Sequence, residues 1–157
     1  MGYYSGISEG YERLYKAEQL EKLEIIRKHL KPKPPLLDIG AGTGISTSFF
    51  KIPAVALDPS RKMLEKYPGK KVCARAEKMP FPDSHFLTII AITSLHHVDI
   101  GKVIQEIRRV SAKGCQYAFS LLKRAKNFQE LRAKLMKAFR LREYDSAKDL
   151  ILISRSR

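Results

Sequence analysis

The sequence has few of the residues that build disulfides or zinc sites. It contains two cysteines among 157 residues. Cys73 and Cys115 lie far apart in apolar segments and form no C-x-x-C pair. We therefore expect two buried free thiols rather than a disulfide or a metal site.

Long apolar runs are also missing. The most apolar run, residues 86–95, is ten residues long and contains threonine and serine, whereas a membrane helix needs about 20 apolar residues. The first residues lack the basic and apolar regions of a secretory signal. We expect no membrane partner and a cytoplasmic protein.

Acidic residues are scarce, with 16 Asp and Glu against 30 Lys and Arg and a formal net charge of +14. This imbalance favours an anionic partner such as nucleic acid and says nothing about the fold. Residues 121–142 alone contain eight Lys or Arg and one acid, Glu130. This basic segment is either a solvated helix face or a surface that follows phosphate groups.

The remaining composition predicts one domain, because 157 residues that are 44% hydrophobic can form a single core. Apolar residues at three- and four-residue steps predict an amphipathic helix over residues 9–30, which the prolines of residues 32–35 end. We therefore expect an N-terminal helical cap, residues 1–33, and a core, residues 34–157.

Apolar segments after the prolines predict the strands of a parallel sheet, at residues 36–39, 54–58, 86–92 and 116–122. Before the last of these strands, Asp99 can cap a helix that we expect Gly114 to end. A further helix should face the sheet with Phe128, Leu131, Leu135 and Phe139. Residues 141–144 and 150–153 predict a hairpin at the sheet edge.

A glycine-rich turn, DIGAGTG at residues 38–44, lies between the first strand and a helix. The missing side chains of Gly40, Gly42 and Gly44 let a ligand touch backbone N–H groups there, which predicts a cofactor loop. A dinucleotide fingerprint would need glycine where Ile45 stands, and no G-x-x-x-x-G-K motif occurs. At the end of the second strand, Asp58 is placed to bind ribose hydroxyls. Together these features predict a nucleoside ligand without phosphates.

Five ordered segments make the sequence resemble the class I S-adenosylmethionine-dependent methyltransferases, particularly the type 11 group that includes ubiquinone and menaquinone biosynthesis methyltransferases. They are LLDIGAGTG at residues 36–44, ALDPSRKML at 56–64, AEKMPFPDSHF at 76–86, SLHHV at 94–98 and EIRRVSAKG at 106–114. The resemblance implies a Rossmann-like α/β fold: a seven-stranded, mostly parallel sheet with a C-terminal antiparallel hairpin and helices on both faces. It also implies methyl transfer from S-adenosylmethionine, with no metal required.

The resemblance further implies where the cofactor binds: the methionine part at Asp38 and the glycine loop, the ribose at Asp58, and the adenine beside Ala76 and Glu77. The full implied set is Tyr11, Asp38, Gly40, Ala41, Gly42, Gly44, Asp58, Pro59, Ala76, Glu77 and Thr93. The sequence departs from the family at two positions, where Arg75 replaces a common Asp or Asn and Leu87 replaces a usual Asp.

His96 and His97 follow a strand end, where substrates bind in such sheets. A proton-transfer role would make His97 the catalytic residue, and packing in the site wall is the alternative.

The acceptor is open to three hypotheses. Few insertions are available to enclose a small apolar molecule, which favours an open site. The first hypothesis is therefore that the acceptor is RNA, bound through the basic segment. A quinone-like or sterol-like small-molecule acceptor is the alternative. The departures at residues 75 and 87 also permit a catalytically silent subunit that binds S-adenosylmethionine beside a partner, and the sequence identifies no activator subunit.

Overall fold

The computed structural model describes residues 9–155, without the side chains of residues 9 and 11. The helices of this part of the chain are α1 (Glu9–His29), α2 (Ile45–Phe49), α3 (Arg61–Leu64), α4 (Ile100–Val110) and α5 (Phe128–Ala138). The strands are β1 (Leu36–Ile39), β2 (Ala54–Asp58), β3 (Lys70–Cys73), β4 (Phe86–Ile92), β5 (Ser111–Leu122), β6 (Leu141–Asp145) and β7 (Asp149–Ser154).

The strands form one seven-stranded sheet in the order β3-β2-β1-β4-β5-β7-β6. Strands β1 to β5 pair in parallel, and β7 runs antiparallel between β5 and β6. This topology confirms the predicted fold class. The strand order reverses between β1 and β4, and the carboxyl ends of such strands border a crevice where ligands bind.

Alternate residues of the central strands pack on opposite faces of the sheet. Leu37 and Ile89 contact the core beneath α4 and α5, whereas Leu36 and Ile90 contact α1. Burial on both faces explains why β1 and β4 are nearly continuous apolar runs. Helices therefore cover both faces of the sheet, and the carboxyl ends of the strands remain accessible.

The predicted C-terminal elements are confirmed. Asp99 caps α4 by accepting a hydrogen bond from the N–H of Lys102 at 3.2 Å. In α5, Leu131 and Leu135 are buried against the sheet, and β6 and β7 form the predicted hairpin.

The prediction that Gly114 ends a helix is wrong. Helix α4 ends at Val110, and β5 begins at once with Ser111. Gly114 has a φ of 84° inside β5. There the pairing with β4 shifts register, from Phe86 opposite Ser111 to Thr88 opposite Gln116. Gly114 therefore lies at an irregularity in the pairing of β4 and β5. Such an irregularity favours a residue with positive φ, as a helix end does, and glycine suits both.

The prediction of two buried thiols is also wrong. Cys73 is exposed and Cys115 is half-buried, and both are free. Cys73 lies on β3, which pairs with β2 at the edge of the described sheet and contains exposed lysines. Across residues 9–155, no helix is both long and apolar enough to cross a membrane.

Candidate functional site

The turn after β1 requires glycine for two separate reasons. Gly40, Gly42 and Gly44 have positive φ values of 70°, 57° and 87°. A Cβ added to Gly40 would lie 2.4 Å from the Cβ of Ser94, and one added to Gly44 would lie 2.4 Å from the ring of Tyr67. At Gly42 the nearest atom is a methionine methyl at 3.4 Å. Contact thus excludes side chains at the outer glycines, whereas the backbone conformation alone disfavours one at Gly42.

Asp58, at the end of β2, is fixed by backbone hydrogen bonds to both of its carboxylate oxygens. The N–H of Gly42 donates to Oδ2 at 2.9 Å, and the N–H of Ser60 donates to Oδ1 at 2.8 Å. A carboxylate has about four acceptor positions, so each oxygen retains capacity for a further bond. Asp58 is therefore oriented by the protein and can still accept hydrogen bonds from two hydroxyls.

Asp38, at the end of β1, lies beneath the loop and is fully buried. Its Oδ2 accepts hydrogen bonds from Ser46 Oγ at 2.5 Å and Thr47 Oγ1 at 2.8 Å. Its Oδ1 is buried, and no group in the described part of the chain donates to it. Burial raises the pKa of Asp38 to about 7, against the opposing effect of the two hydroxyls. Asp38 thus holds the start of α2 under the loop, and its contact with the cofactor's methionine part stays a prediction.

Three cavities lie side by side at this edge of the sheet. The glycine-loop cavity, about 290 Å³, lies between the loop and α1. The Asp58 cavity, about 330 Å³, lies beyond Gly40 and Ser94, which line both. The Lys22 cavity, about 410 Å³, lies on the opposite side and shares Tyr15, Gln19 and Thr93 with the glycine-loop cavity.

The structure brings most of the predicted site residues to these cavities. Those that line the glycine-loop cavity are Gly40, Ala41, Gly42 and Thr93. Those that line the Asp58 cavity are Asp58, Pro59, Ala76, Glu77 and His97. Asp38 and Gly44 line none of the three. The prediction for Tyr11 falls on a side chain outside the described part of the structure.

Glu77 is held as a carboxylate at the wall of the Asp58 cavity. Burial would raise its pKa, but the hydrogen bond from the N–H of Asp99 and the contact with Arg75 outweigh burial and lower the pKa. The distances are 3.1 Å from the N–H of Asp99 and 3.5 Å from Arg75 Nη2. The departure from the family at residue 75 thus places a cation, 77% exposed, beside Glu77.

The two neighbouring histidines have different surroundings. His97 is exposed and lines the Asp58 cavity. His96 is half-buried, and its Nε2 accepts a hydrogen bond from the N–H of Leu122 at 3.0 Å. Burial lowers the pKa of His96, so the ring stays neutral and remains an acceptor. His96 therefore joins the end of β4 to the end of β5.

Sequence reasoning predicted Thr93 as a site residue but missed the buried polar side chains that contact it on the wall between two cavities. Lys22 Nζ donates hydrogen bonds to Gln19 Oε1 at 2.9 Å and Thr93 Oγ1 at 2.8 Å, and it lies 3.4 Å from Asp149 Oδ2. Thr93 in turn donates to Asp149 Oδ2 at 2.7 Å. Thr93 has a φ of 54°. A positive φ is rare for a β-branched residue, and residues with such strained backbone cluster at functional sites.

One sequence pattern could have revealed Lys22. Lys22, Ile26 and Leu30 follow one another at steps of four residues, so the helical periodicity places a lysine on the apolar face of α1. A charged residue at such a position is rarely buried without a partner.

The donors and acceptors of the site fit the cofactor that the resemblance implies. Asp58 offers two oriented oxygens to ribose hydroxyls, and the Asp58 cavity has room for a nucleoside beside Ala76. Gly40, which has no side chain, lies between this cavity and the glycine-loop cavity. A ligand with a nucleoside and an amino acid part would therefore cross the loop beside Gly40 and Ser94, which line both cavities.

Comparison with known families supports this assignment. A family model described as a methyltransferase domain matches residues 37–119, which is more than half of the chain. The matched segment runs from β1 into β5 and includes the glycine loop, Asp58 and His97.

Two relatives are proteins of Methanocaldococcus jannaschii. MJ1252 is 33% identical over 115 residues, which are 69% of this chain and 45% of that protein. MJ1123 is 27% identical over 162 aligned positions, which are 96% of this chain and 78% of that protein. The chain thus spans less than half the length of MJ1252.

A solved structure from Thermotoga maritima, an S-adenosylmethionine-dependent methyltransferase described as a possible histamine N-methyltransferase, has a TM-score of 0.75 to this chain. The two are 20% identical, and the match covers 92% of this chain and 93% of that one. At this identity the likeness shows a shared fold.

Proposed function

This chain belongs to the methyltransferase domain family, type 11, whose cofactor is S-adenosylmethionine, and we propose that it transfers the cofactor's methyl group to RNA. The observation that carries the cofactor half of this proposal is the orientation of Asp58 by the N–H groups of Gly42 and Ser60. It supports the proposal because a carboxylate held at the edge of the glycine loop, with both oxygens able to accept further hydrogen bonds, suits the two hydroxyls of a ribose.

The chain's own residues have separate tasks in this proposal. When bound, S-adenosylmethionine supplies a methyl group that is already activated by its positive sulfur. The protein therefore has to position the two reactants and exclude water, because effective positioning accounts for much of the rate. Asp58 orients the nucleoside, Ala76 and Glu77 form the wall beside the base, and the glycine loop admits the amino acid part.

The acceptor would reach the reactive centre through the Lys22 cavity. This cavity shares Tyr15, Gln19 and Thr93 with the glycine-loop cavity, so a molecule in it lies next to the methyl donor. Arg124, which belongs to the basic segment of residues 121–142, also lines the Lys22 cavity. This contact supports an anionic acceptor, because it connects the most basic part of the chain to the acceptor side of the site.

The Lys and Arg side chains in the rest of the basic segment differ in exposure and in ion pairing, which the sequence does not predict. Lys126, Lys134 and Lys137 are exposed, but Arg132 is half-buried. Arg132 bonds Glu143 on β6, and Lys134 bonds Glu130 at 3.1 Å. The hairpin thus supplies a carboxylate that the local sequence did not reveal. Phosphate contacts are therefore proposed for Arg124, Lys126 and Lys137.

Methyl transfer from labelled S-adenosylmethionine tests the acceptor. The chain is incubated separately with total RNA and with a metabolite extract, and incorporated label is counted in each fraction. We expect label in RNA, reduced when Lys126 and Lys137 are both replaced by Gln. Replacement of Glu65, an exposed acid outside the segment, by Gln is the matched surface control.

A small-molecule acceptor is the second candidate. It is favoured by the volume of the Lys22 cavity, about 410 Å³, and by the description of the Thermotoga maritima structure as a possible histamine N-methyltransferase. Label in the metabolite fraction alone would replace RNA by this candidate. Cofactor binding without label in either fraction would support a catalytically silent subunit.

A further inference from the structure

We propose that the Lys22 cavity is a nucleotide pocket, in which an unpaired base of single-stranded RNA contacts Asp149 and its phosphate contacts Arg124. The proposal rests on the function proposed above and names the part of an RNA that enters the site. A base within a duplex is stacked and paired, so only an unpaired or extruded nucleotide can enter a cavity of this kind.

The floor of the cavity is built to accept hydrogen bonds. Asp149 is 2% exposed and lines the cavity together with Lys22. The hydrogen bond from Thr93 and the ion pair with Lys22 both engage Oδ2 of Asp149. Because a carboxylate has about four acceptor positions, Asp149 can also accept from an amino group or ring N–H of a base. Cytosine, whose N4 amino group pairs with carboxylates, is a suitable probe.

The wall of the cavity is apolar where a base would stack. Leu14 on α1 lines the cavity and is 57% exposed, an unusual state for a large aliphatic side chain in the described part of this chain. Tyr15 and Leu122 line the same space. Flat bases stack readily on aromatic and apolar surfaces, and this contact is tolerant of sequence. An occupying base would therefore cover Leu14.

The mouth of the cavity carries the positive charge. Lys148 Nζ is 2.9 Å from Glu18 Oε1, so these two charges compensate each other. Arg124 is exposed at the same mouth. A guanidinium binds phosphate through paired N–H groups, which makes Arg124 the residue for the nucleotide's phosphate.

Calorimetric titration with cytidine and cytidine monophosphate tests the pocket. S-adenosylhomocysteine is kept saturating, so that neither probe can occupy the cofactor's nucleoside site. We expect both probes to bind, the monophosphate more tightly. Arg124→Gln should weaken the monophosphate about tenfold and leave cytidine unchanged, because it removes one charged hydrogen-bond donor. Lys113→Gln, a change of the same charge at an exposed position outside both the cavity and the basic segment, should alter neither.

Two further variants test the base contacts. Asp149→Asn should weaken both probes equally, and thermal unfolding must show that this variant still folds, since Asp149 also pairs with Lys22. Leu14→Ser changes only an exposed side chain and should likewise weaken both probes. A single-stranded oligocytidine should bind more tightly than the same strand in a duplex.

The outcomes separate this inference from the proposed function. Failure of S-adenosylhomocysteine to bind would overturn both. Binding of S-adenosylhomocysteine without either cytidine probe would overturn the nucleotide pocket alone. Probe binding that is insensitive to both Arg124→Gln and Leu14→Ser, or equal binding of single and double strands, would also overturn it.

Discussion

The backbone N–H of Gly42 donates a hydrogen bond of 2.9 Å to Oδ2 of Asp58. This bond joins the middle of the glycine loop to the acid at the end of the neighbouring strand, and Ser60 binds the other oxygen at 2.8 Å. Asp58 is therefore oriented before a ligand arrives. The ribose contact that is predicted for Asp58 would therefore depend on the conformation of the loop.

Asp58→Ala should weaken binding of S-adenosylmethionine by about 1 to 3 kcal/mol, the usual effect of removing one partner of a charged hydrogen bond. Calorimetric titration measures the change, and Glu130→Ala, which removes an exposed acid on α5, is the control. If the folded variant bound the cofactor as tightly as the parent, the ribose would be held by another residue.

The three loop glycines should differ in their tolerance of alanine. Gly42→Ala should lower the free energy of unfolding by about 1 kcal/mol, because only its positive φ is unfavourable. Gly40→Ala and Gly44→Ala should lower it by a further 1 to 3 kcal/mol or so, because each new Cβ overlaps a neighbouring side chain. Urea unfolding measures these values.

The double variant Gly40→Ala with Ser94→Gly is the matched test of the overlap. It removes the atom that lies 2.4 Å from the added Cβ and should recover part of the lost stability. Equal effects of all three alanine substitutions would contradict the account of the loop.

Asp38 should make stability depend on pH. Since burial raises its pKa to about 7, the folded chain keeps a proton between the ordinary value of 3.8 and about 7 that the unfolded chain has released. The free energy of unfolding therefore falls as pH rises through this interval. Asp38→Asn removes the titration while its side-chain oxygen can still accept from Ser46 or Thr47.

The stability of Asp38→Asn relative to the parent should increase by roughly 1 to 4 kcal/mol between about pH 4 and about pH 8. Urea unfolding of both proteins at these pH values gives the difference. A difference independent of pH would show that the Asp38 carboxyl titrates at its ordinary pKa.

His97→Ala should reduce turnover by less than about tenfold and leave the pH profile unchanged, because His97 is an exposed residue of the cavity wall. Rates across neutral pH, with the accepted substrate, provide the measurement. Loss of about a hundredfold in rate together with loss of a titration near neutral pH would assign proton transfer to His97 instead.

The sequence predicts the strands whose burial is visible in their own residues. Strands β1, β2 and β4 are buried on both faces, so their apolar runs reveal them. Strand β3 is an exposed edge that contains two lysines and has no such pattern. The prediction that Gly114 ends a helix is wrong because a positive φ suits a helix end and an irregular strand equally.

The same distinction separates the two halves of the site. The glycine loop and Asp58 form a local motif with a fixed spacing, so a linear pattern identifies them. Lys22, Thr93 and Asp149 come from α1, the end of β4 and the start of β7. Their contact depends on how the helix packs on the sheet, which a pattern within one segment does not specify.

Titration of the chain with S-adenosylmethionine, S-adenosylhomocysteine and NAD tests the central claim most directly. Asp58 and the glycine loop should bind both sulfur-containing nucleosides, and NAD should not bind, because Ile45 stands where the dinucleotide fingerprint requires glycine. Micromolar binding of NAD without a response to either sulfur-containing nucleoside would contradict the assignment.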